Sequence, residues 1–417
     1  MVRLCVCLTL FLLPSTLFVV GLLLYYHLLL STLFVLVAIA VLAESLCGRR
    51  TQTPPKSPAD WDVAAVFVAY LPAEQSLIRA TLEHAHYTGQ FAQIVLAYNT
   101  PEPLPIEVEL AQLPWLKLVK VPNSHSKAEN LNYVLDCGVI DCPIVGIFDA
   151  DHLPDLYAPG LAADWIAAGY AAVQGRCVVA NAADGWLPAL VRDEFAHIYR
   201  LLHQSRFNLL GTGIFGGSNC YWATYVLQDF RFDSRRLTED IDLSLRAIEQ
   251  GHAIAHDPRI ISREVAPTGL GPLWRQRTRW AQGWTEVTLA HVHRLLRSHR
   301  LTWRQKAYWA YSMYFREAFT YLSMTVYLLL AWYTFHPPVM PAWATVWLDL
   351  SSALTVASLA AVALCVRAVD DEAQPLRYAA LCVPYTAFKG LVHLNALGRM
   401  LVGNRSWVVT DKGAGRP

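Results

Sequence analysis

The stretch PIVGIFDAD, residues Pro143–Asp151, is a short apolar run that ends in two carboxylates. Because positions i and i+2 of an extended chain face the same side, we expect the side chains of Asp149 and Asp151 to point together. Two carboxylates in this arrangement suit a hard divalent cation that also binds phosphate oxygens. The structural alternative is a pair of aspartates that stabilises a turn, and a lone D-x-D motif does not decide between the two.

Further apolar runs rich in β-branched residues precede this stretch, at Val63–Ala69, Gln93–Ala97 and Leu116–Val121. Between the first two runs, Glu74–His86 has apolar residues at helical spacing. Strands that alternate with helices are typical of α/β layering around a parallel sheet. The sequence therefore predicts a doubly wound α/β domain in the middle of the chain.

The composition indicates a membrane protein. The chain has 417 residues, and 34 Lys and Arg stand against 33 Asp and Glu, which gives a net charge of +1. So small a net charge excludes nucleic-acid binding driven by bulk charge. Only 16% of the residues are charged, whereas about 25% is usual for soluble domains, and the mean hydropathy is +0.29. The nine cysteines include no C-x-x-C pair, which argues against a zinc site.

Apolar residues are concentrated at the two ends of the chain. Leu4–Leu46 contains Glu44 as its single formal charge and is long enough for two spans of about 20 residues. Tyr25–His27, in the middle, suits a turn with interfacial aromatic side chains, and basic residues lie on both sides of the whole stretch. We predict a hairpin of two transmembrane helices in residues 1–48, with both ends in the cytoplasm.

Apolar sequence returns after Leu301. Trp303–Arg316 mixes aromatic and basic residues, as in a helix that lies in the membrane interface. Tyr321–Phe335 and Trp343–Val366 predict spans, and Tyr378–Leu401 is a span, a re-entrant segment or an interfacial helix. The predicted parts are a membrane segment 1–48, a cytoplasmic domain 49–300, and residues 301–417 with an interfacial helix, two or three membrane segments and a short tail.

A second polar motif lies at Leu237–Leu243, which reads LTEDIDL and has the features of a helix start. Thr238 is a suitable N-cap residue, and Gly251 follows as a stop signal. Glu239 and Asp240 would lie in the first turn, where carboxylates favour the positive end of the helix dipole. The same place suits a general base, and the residues alone do not decide between these interpretations.

A third motif, QRTRWAQG at Gln276–Gly283, carries basic and aromatic residues at helical spacing. Gln276, Arg279 and Trp280 would share one helical face. The planar guanidinium of arginine suits a phosphate, and the flat face of tryptophan suits a sugar ring or a base. The structural alternative is a basic and aromatic helix next to the membrane.

D-x-D, T-E-D and Q-x-x-R-W, in this order and with membrane segments on both sides, resemble the processive family-2 glycosyltransferases. Cellulose, hyaluronan, chitin and poly-N-acetylglucosamine synthases belong to that family. The resemblance covers about residues 60–283 and implies a glycosyltransferase-A-type fold flanked by transmembrane helices. Shorter matches are Ser126–Asn132 with a K-A-x-x-L-N segment, Val173–Arg176 with a V-Q-x-x segment, Phe215–Asn219 with an acceptor-contacting loop, and Trp407–Lys412 with a W-x-x-T-x-K ending.

The resemblance implies a role for each motif residue. Asp240 would be the catalytic base, and Asp149 and Asp151 would bind Mg²⁺ or Mn²⁺ together with the nucleotide diphosphate. Asn99 stands where the family has a base-binding aspartate, which leaves the choice of nucleotide open. The implied nucleotide-binding residues are Tyr70, Glu74, Asn99, Lys127, Asp149, Gln276 and Arg279, and the implied acceptor-binding residues are Gly217, Ser218, Glu239 and Trp280.

The function implied by the resemblance is inverting transfer of a sugar from a UDP-linked donor to a growing polysaccharide. A single base opposite the leaving group requires no second carboxylate as nucleophile. The expected partners are the donor, a polysaccharide or lipid acceptor and the lipid bilayer of the plasma (inner) membrane, with the domain in the cytoplasm and no nucleic acid. The alternatives are a non-processive glycolipid synthase that acts on diacylglycerol or ceramide, and a catalytically dead scaffold or transporter. The sequence does not name the sugar, the linkage or the oligomeric state.

Overall fold

One mixed β-sheet forms the centre of the domain. The computed structural model describes residues 2–337, 340–371 and 373–404, with the backbone alone for 2–20 and 375–383. Within these residues the sheet has eight strands in the order β3-β2-β1-β4-β7-β6-β8-β5. The strands are β1 Val63–Tyr70, β2 Gln93–Asn99, β3 Leu116–Lys120, β4 Ile144–Asp149, β5 Leu153–Pro154, β6 Ala172–Val179, β7 Cys220–Ala223 and β8 Ile254–Glu264.

The predicted α/β class and the four predicted strands are confirmed. β1 pairs in parallel with β2 and β4, and β2 pairs in parallel with β3. The register sets Tyr70 beside Asn99, and Val68 beside Asp149. Since the carboxyl ends of parallel strands meet at one edge, this edge collects polar residues from three strands. The short strand β7 is antiparallel to both β4 and β6, so the sheet is not purely parallel.

The helices form two groups by position, those that lie between the strands or directly after β8, and those in the N- and C-terminal parts of the chain. The first group is α2 Leu71–Thr88, α3 Pro105–Ala111, α4 Lys127–Asp136, α5 Ala158–Ala167, α6 Trp186–Phe195, α7 His203–Leu210, α8 Thr224–Phe230, α9 Glu239–Glu249 and α10 Leu270–Arg297, with a 3₁₀ turn at Ala182–Asp184 and a π-helix at Ala196–Leu202. The second group is α1 Val2–Cys47, α11 Trp303–Trp309, α12 Arg316–Ser323, α13 Thr325–Phe335, α14 Ala342–Arg367 and α15 Pro375–Leu401, with a π-helix at Ala310–Phe315.

The main core lies along β1 and β4 and includes several fully buried aromatic rings. Phe67 and Phe148 are fully buried and stack with ring centroids 5.2 Å apart, and Tyr221 meets Phe148 edge-on at 5.7 Å. A Cβ atom at Gly146 would lie 2.9 Å from both the Phe148 and Tyr221 rings. Gly146 in β4 therefore leaves space for the rings of Phe148 and Tyr221. Each buried Phe contributes about 1.5–3 kcal/mol.

The predicted turn at Tyr25–His27 is absent, because α1 continues through these residues without a break. None of the three is a glycine or proline, so nothing in them ends a helix. The Tyr26 hydroxyl and Thr325 Oγ1 lie 2.6 Å apart, and the rings of His27 and Tyr333 are 5.4 Å apart. The side chains of Tyr26 and His27 therefore pack on α13, whereas Tyr25 is exposed.

Three helical runs in the described part of the chain are long and apolar enough to span a membrane: Gly21–Cys47, Trp303–Phe335 and Ala342–Arg367. The second run includes the segment predicted for the interface. In that segment Trp309 and Met313 are fully buried in the domain core, so it is attached to the domain. The predicted segment Tyr378–Leu401 lies in α15, and the predicted tail motif at 407–412 lies outside the described residues.

Candidate active site

A cavity of about 290 Å³ opens at the carboxyl edge of β1, β2 and β4. The starts of α4 and α9 and one face of α10 also contribute to its walls. Every residue predicted for the site, except Asp151, lines this cavity. These residues are Tyr70, Glu74, Asn99, Lys127, Asp149, Gly217, Ser218, Glu239, Asp240, Gln276, Arg279 and Trp280.

The β1 and β2 side of the cavity is held by local hydrogen bonds. α2 begins directly after Tyr70 with a proline in its first turn, and the Tyr70 N–H donates to Glu74 Oε2 at 2.7 Å. Asn99 Nδ2 donates to the Ser124 carbonyl at 3.0 Å, and Asn99 Oδ1 accepts from Asn130 Nδ2 at 3.0 Å. Asn99 is thus held in one orientation at the end of β2.

Lys127 and Asp149 form an ion pair at the centre of the cavity. Lys127 is the first residue of α4, and its ammonium group contacts the Asp149 carboxylate and the Gly217 carbonyl. Burial acts to lower the pKa of Lys127, but the carboxylates of Asp149 and Glu239 outweigh it and hold that pKa above its usual value. The cavity therefore contains a permanent cation beside the first carboxylate of D-x-D.

A buried glutamine holds the Gly216–Ser218 loop, whose Gly217 carbonyl contacts Lys127. Gln174 on β6 accepts from the Gly216 N–H at 2.8 Å and donates to the Ser218 carbonyl at 2.9 Å. Ser218 Oγ in turn accepts from the Asp149 N–H at 3.1 Å. The V-Q and G-G-S segments singled out in the sequence therefore act as one unit that supports Asp149.

Asp151 is buried beside the cavity and is not part of its wall. Its Oδ2 accepts from the Val265 N–H at 2.9 Å, because β5 pairs with β8 immediately after D-x-D. The preceding residue, Glu264, does line the cavity, and its Oε2 lies 2.8 Å from His152 Nε2. The Asp151 carboxylate therefore binds the peptide N–H between Glu264 and Val265, so Asp151 and Glu264 are close together. Sequence spacing did not predict this arrangement.

The oxygen atoms around the cavity fit a divalent cation. Among its described wall residues, two basic side chains, Lys127 and Arg279, face five carboxylates, those of Glu74, Asp149, Glu239, Asp240 and Glu264. Carboxylate oxygens are the ligands that Mg²⁺ and Mn²⁺ prefer. Three or more His, Cys, Asp or Glu side chains do not converge on one point anywhere in the described residues. A cation here would therefore need further oxygens from a bound phosphate.

Asp240 lies in the first turn of α9, opposite the Gly217 loop. Thr238 takes the N-cap position, although its side chain makes no capping hydrogen bond. Burial and then the neighbouring Glu239 carboxylate raise the pKa of Asp240 to about 7. Gly217 has a φ of +90°, and a Cβ atom there would lie 3.2 Å from Asp240 Oδ2. A carboxylate whose pKa is near neutral, on an open wall, suits a general base.

The N-terminal part of α10 forms the opposite wall. Gln276, Arg279 and Trp280 line the cavity together, as their spacing predicted. Arg279 donates to the Leu237 carbonyl at 3.3 Å. A Cβ atom at Gly283 would lie 2.5 Å from Thr238 Cγ2, so α10 and the start of α9 are in close contact there.

The Trp280 indole, the Phe195 ring and the Arg277 guanidinium form one cluster, in which Arg277 lies over both rings. The guanidinium of Arg277 lies 4.3 Å from the centroid of the Trp280 ring, and Phe195 stacks on Trp280 at 6.5 Å. Arg277 is buried and pairs with the buried Glu194 at 2.7 Å. Sequence spacing identified Trp280 but not this support, since Phe195 and Glu194 lie more than 80 positions earlier in the chain.

Glu194 also binds two side chains of α15. Lys389 Nζ lies 2.9 Å from its Oε1, and the Tyr385 hydroxyl donates to its Oε2 at 2.8 Å. Burial alone would raise the pKa of Glu194, but Arg277 and Lys389 outweigh it and lower that pKa to about 2. His393 Nδ1 lies 2.8 Å from the Lys389 carbonyl. Lys389 and His393, the charges that suggested a transporter, therefore have structural partners.

Sequence reasoning missed several wall residues, namely Cys177, Phe195, Ile198, Tyr199, Glu264 and Trp284. Tyr199 lies in a π-helix, a rare element that is often found at functional sites. Its hydroxyl donates to the Gly216 carbonyl at 3.2 Å. The i, i+4 spacing of Phe195 and Tyr199 predicts that both rings lie on one helical face. The neighbouring sequence does not indicate that this face lies next to the three motifs.

The chain is similar to known glycosyltransferases. The model of glycosyl transferase family group 2 matches residues 144–359, slightly more than half of the chain. The probable glycosyltransferase YdaM of Bacillus subtilis (strain 168) is 29% identical over 181 residues, 41% of this chain and 41% of that protein. The poly-beta-1,6-N-acetyl-D-glucosamine synthase of Staphylococcus aureus (strain COL) is 34% identical over 98 residues, 24% of this chain and 22% of that protein. The matches thus span about two fifths of one curated relative and less than a quarter of the other.

A solved structure with a similar fold is the mannosyltransferase PcManGT from Pyrobaculum calidifontis, in complex with GDP-Man and Mn²⁺. It superposes with a TM-score of 0.65 at 17% identity, and the match covers 92% of this chain and all of that chain. This likeness confirms the expected glycosyltransferase-A-type α/β fold. With its motif residues gathered in one cavity and a family model that matches half of its length, the chain belongs to glycosyl transferase family group 2.

Proposed function

We propose that this glycosyltransferase transfers a sugar from a nucleotide sugar to a growing polysaccharide at the membrane. One observation carries the proposal: Asp240, with a pKa of about 7, shares a cavity with Lys127, Arg279 and Trp280. A base, fixed cations and a flat apolar surface are the three elements that sugar transfer from a diphosphate requires.

Asp240 removes the proton from the acceptor hydroxyl as that oxygen attacks the anomeric carbon of the donor. General-base help of this kind typically contributes 10²–10⁴-fold to the rate. Trp280 supports the acceptor sugar, because an indole ring offers a flat apolar face. The bond to the leaving diphosphate breaks in the same displacement, so the anomeric configuration inverts.

The departing diphosphate is stabilised by Lys127 and Arg279, with Gln276 as a further hydrogen-bond donor. Asp149, Asp151 and Glu264 are the residues that would hold Mg²⁺ or Mn²⁺, which supplies Lewis-acid stabilisation of the developing phosphate charge when bound. These cationic side chains are fixed before reaction by the ion pair with Asp149 and the contact with the Leu237 carbonyl. Preorganised charges are usually the largest single contribution to such catalysis.

The donor is UDP-linked, and its nucleotide binds at the edge formed by Tyr70, Glu74 and Asn99. The Asn99 amide, held by Ser124 and Asn130, presents its remaining hydrogen-bonding capacity to a base. The GDP-Man of the Pyrobaculum mannosyltransferase makes a GDP-sugar the first alternative to test.

The enzyme is a polytopic protein of the plasma (inner) membrane, with residues 49–300 in the cytoplasm. The three candidate spans support this arrangement, because Cys47, Trp303 and Arg367 are the ends that adjoin the domain. A polymer product is favoured by the partial match to a poly-N-acetylglucosamine synthase. A glycolipid synthase is the second candidate, and the small number of candidate spans in the described residues favours it.

The deciding experiment is a donor screen with the full chain in lipid nanodiscs, using radiolabelled UDP- and GDP-sugars, followed by sizing of the product. A ladder of long products supports a polysaccharide synthase. A single lipid-extractable product identifies a glycolipid synthase. If no donor releases nucleotide diphosphate above the level of an Asp240→Asn control, the enzymatic proposal fails and the scaffold alternative gains support.

A further inference from the structure

A second cleft, of about 600 Å³, lies where two candidate spans end. Its walls come from the end of α1, from the π-helix Ala196–Leu202 and from the turn after α14, and it shares no wall residue with the active-site cavity. We call it the juxtamembrane cleft. It is lined by Leu46, Arg49, Arg50, Arg200, Ala368, Val369 and Asp371.

Two of the three arginines of this cleft, Arg49 and Arg50, have no carboxylate partner among the described residues. The guanidinium groups of Arg49 and Arg50 make no hydrogen bond or ion pair within the described part of the chain, and both residues are exposed. Arg200 donates to the Gly48 carbonyl at 3.2 Å. Among the described residues, Asp371 is the single wall carboxylate, and its Oδ1 lies 3.4 Å from Arg367 NH1. The cleft therefore has an excess of positive charge.

The nearest further acid does not remove this excess. Asp370 is paired with Arg176, which brings a fourth arginine close to the cleft. Burial, followed by the charge of Arg176, lowers the pKa of Arg200, although the carboxylates of Asp257 and Asp370 act in the opposite direction. An anion in the cleft would add to their effect and relieve the repulsion between Arg200 and Arg176. Glu372 lies outside the described residues.

The cleft lies where the membrane surface is expected. α1 and α14 pack with the same ends together, since Leu42 contacts the cluster that holds Cys365 and Val366. The candidate spans end at Cys47 and Arg367, directly before the residues of the cleft. Basic residues at this depth attract anionic lipids.

The walls also distinguish a lipid from a small soluble anion. Leu46, Ala368 and Val369 give the cleft an apolar side next to its arginines. A free phosphate would gain nothing from this apolar side, whereas the glycerol and upper acyl chain of a lipid would contact it. Arginine also offers paired N–H donors that match a phosphate.

We propose that the juxtamembrane cleft binds the headgroup of one anionic phospholipid, with Arg49, Arg50 and Arg200 on its phosphate and Leu46 and Val369 on its apolar part. The site is separate from the sugar-transfer cavity and does not depend on which sugar the enzyme uses.

The test is native mass spectrometry of the full chain in detergent, titrated with phosphatidylglycerol and, separately, with phosphatidylcholine. The cleft variant carries Arg49→Gln and Arg50→Gln. The matched control carries Arg294→Gln and Arg297→Gln, two exposed arginines at the end of α10. We expect one phosphatidylglycerol bound preferentially to the wild type and the control, and an affinity at least about tenfold lower in the cleft variant. A variant with Arg49→Lys and Arg50→Lys should recover part of the affinity, because it keeps the charge.

Three outcomes would overturn the proposal. Equal affinity for phosphatidylcholine and phosphatidylglycerol would remove the selectivity for anionic lipid. Equal loss in the cleft variant and the control would show a general charge effect. Displacement of the lipid by inorganic phosphate alone would identify a soluble anion as the ligand. The thermal midpoint of each variant without added lipid, equal to that of the wild type, verifies that the fold is intact.

Discussion

Asp240 combines an acidic side chain with a pKa of about 7, because it is buried and lies next to Glu239. We expect Asp240→Asn to bind nucleotide diphosphate as the wild type does and to lose sugar transfer. Isothermal titration with the nucleotide and a radiolabel transfer assay measure the two properties. Near-normal transfer by this variant would remove Asp240 from the role of base.

The same residue sets the expected pH dependence. A base works in its deprotonated form, so kcat/KM should fall about tenfold per pH unit below pH 7 and level off above it.

Asp240 also makes the stability of the fold depend on pH. Since the folded state binds the proton of Asp240 more tightly than the unfolded chain does, the free energy of unfolding falls as pH rises from 3.8 to about 7. Asp240→Asn should therefore have a thermal midpoint at pH 8 that is at least equal to that of the wild type, and a lower one would indicate damage to the fold.

Arg277 is a positioning residue, because it supports the Trp280 ring at 4.3 Å and pairs with Glu194. Arg277→Lys keeps the charge but loses the planar stacking. We expect transfer to slow by about 10²-fold, as for a misplaced acceptor, with unchanged nucleotide affinity and a larger share of donor hydrolysis. Trp280→Ala should give the same pattern, and Arg275→Lys, exposed on the same helix, should have no effect. If Arg277→Lys binds nucleotide more weakly, Arg277 and Trp280 belong to the donor-binding part of the site and not to the acceptor-binding part.

Asp151 tests the metal assignment, since it lies behind the cavity wall and next to Glu264. We expect transfer to stop in excess EDTA and to return with Mg²⁺ or Mn²⁺, because the diphosphate and the carboxylates would otherwise form an uncompensated cluster of negative charge. Asp151→Asn keeps an acceptor for the Val265 N–H and should reproduce the loss, whereas Asp155→Asn, partly exposed nearby, should not. Full activity in EDTA would contradict a bound cation.

The contact between α9 and α10 positions the base relative to the phosphate-binding residues. A Cβ atom at Gly283 would lie 2.5 Å from Thr238 Cγ2 and 3.0 Å from its backbone nitrogen, so the start of α9 would have to move. We expect Gly283→Ala to lower transfer and to destabilise the fold by about 1–3 kcal/mol. Gly398→Ala in α15 is the matched control, because its Cβ atom would meet open space and alanine favours a helix by about 1 kcal/mol. Equal activity in both variants would show that this contact is not tight.

The helical run Trp303–Phe335 packs along α1. Glu44 contacts Tyr308, and further along α1 Phe34 contacts Phe319. α1 and the run Trp303–Phe335 are therefore antiparallel, with His336 at the end far from the domain. Basic residues flank the domain side, and residues 336–341 contain no Lys or Arg. By the positive-inside rule, we expect the domain side to be cytoplasmic.

Cysteine labelling tests this orientation. Cys137 is exposed at the end of α4, and His336 is exposed beyond α13. In chains with a single cysteine, a membrane-impermeant maleimide should label His336→Cys in intact cells and should label Cys137 only after lysis. The reverse pattern would place the domain outside the cell.

Local residue patterns were sufficient for the strands and for the three motifs. β1, β2 and β4 are buried on both faces, so their sequences are continuous apolar runs that stand out from helical periodicity. D-x-D lies at the end of β4, T-E-D at the start of α9 and Q-x-x-R-W in the second and third turns of α10, where side chains leave the backbone in predictable directions. The cavity therefore brings together twelve of the thirteen residues that these motifs and their resemblance implied.

Contacts between distant parts of the chain decided the rest. The antiparallel β7, the peptide that joins Asp151 to Glu264, and the support of Trp280 by Glu194 and Arg277 all depend on segments that meet only after folding. The course of α1 through Tyr25–His27 was decided in the same way, because a helix or a turn fits that apolar stretch until Tyr26 and His27 find partners near and within α13. The sequence thus specified which chemical groups the enzyme carries, while tertiary packing, through burial and neighbouring charge, set their protonation and their positions.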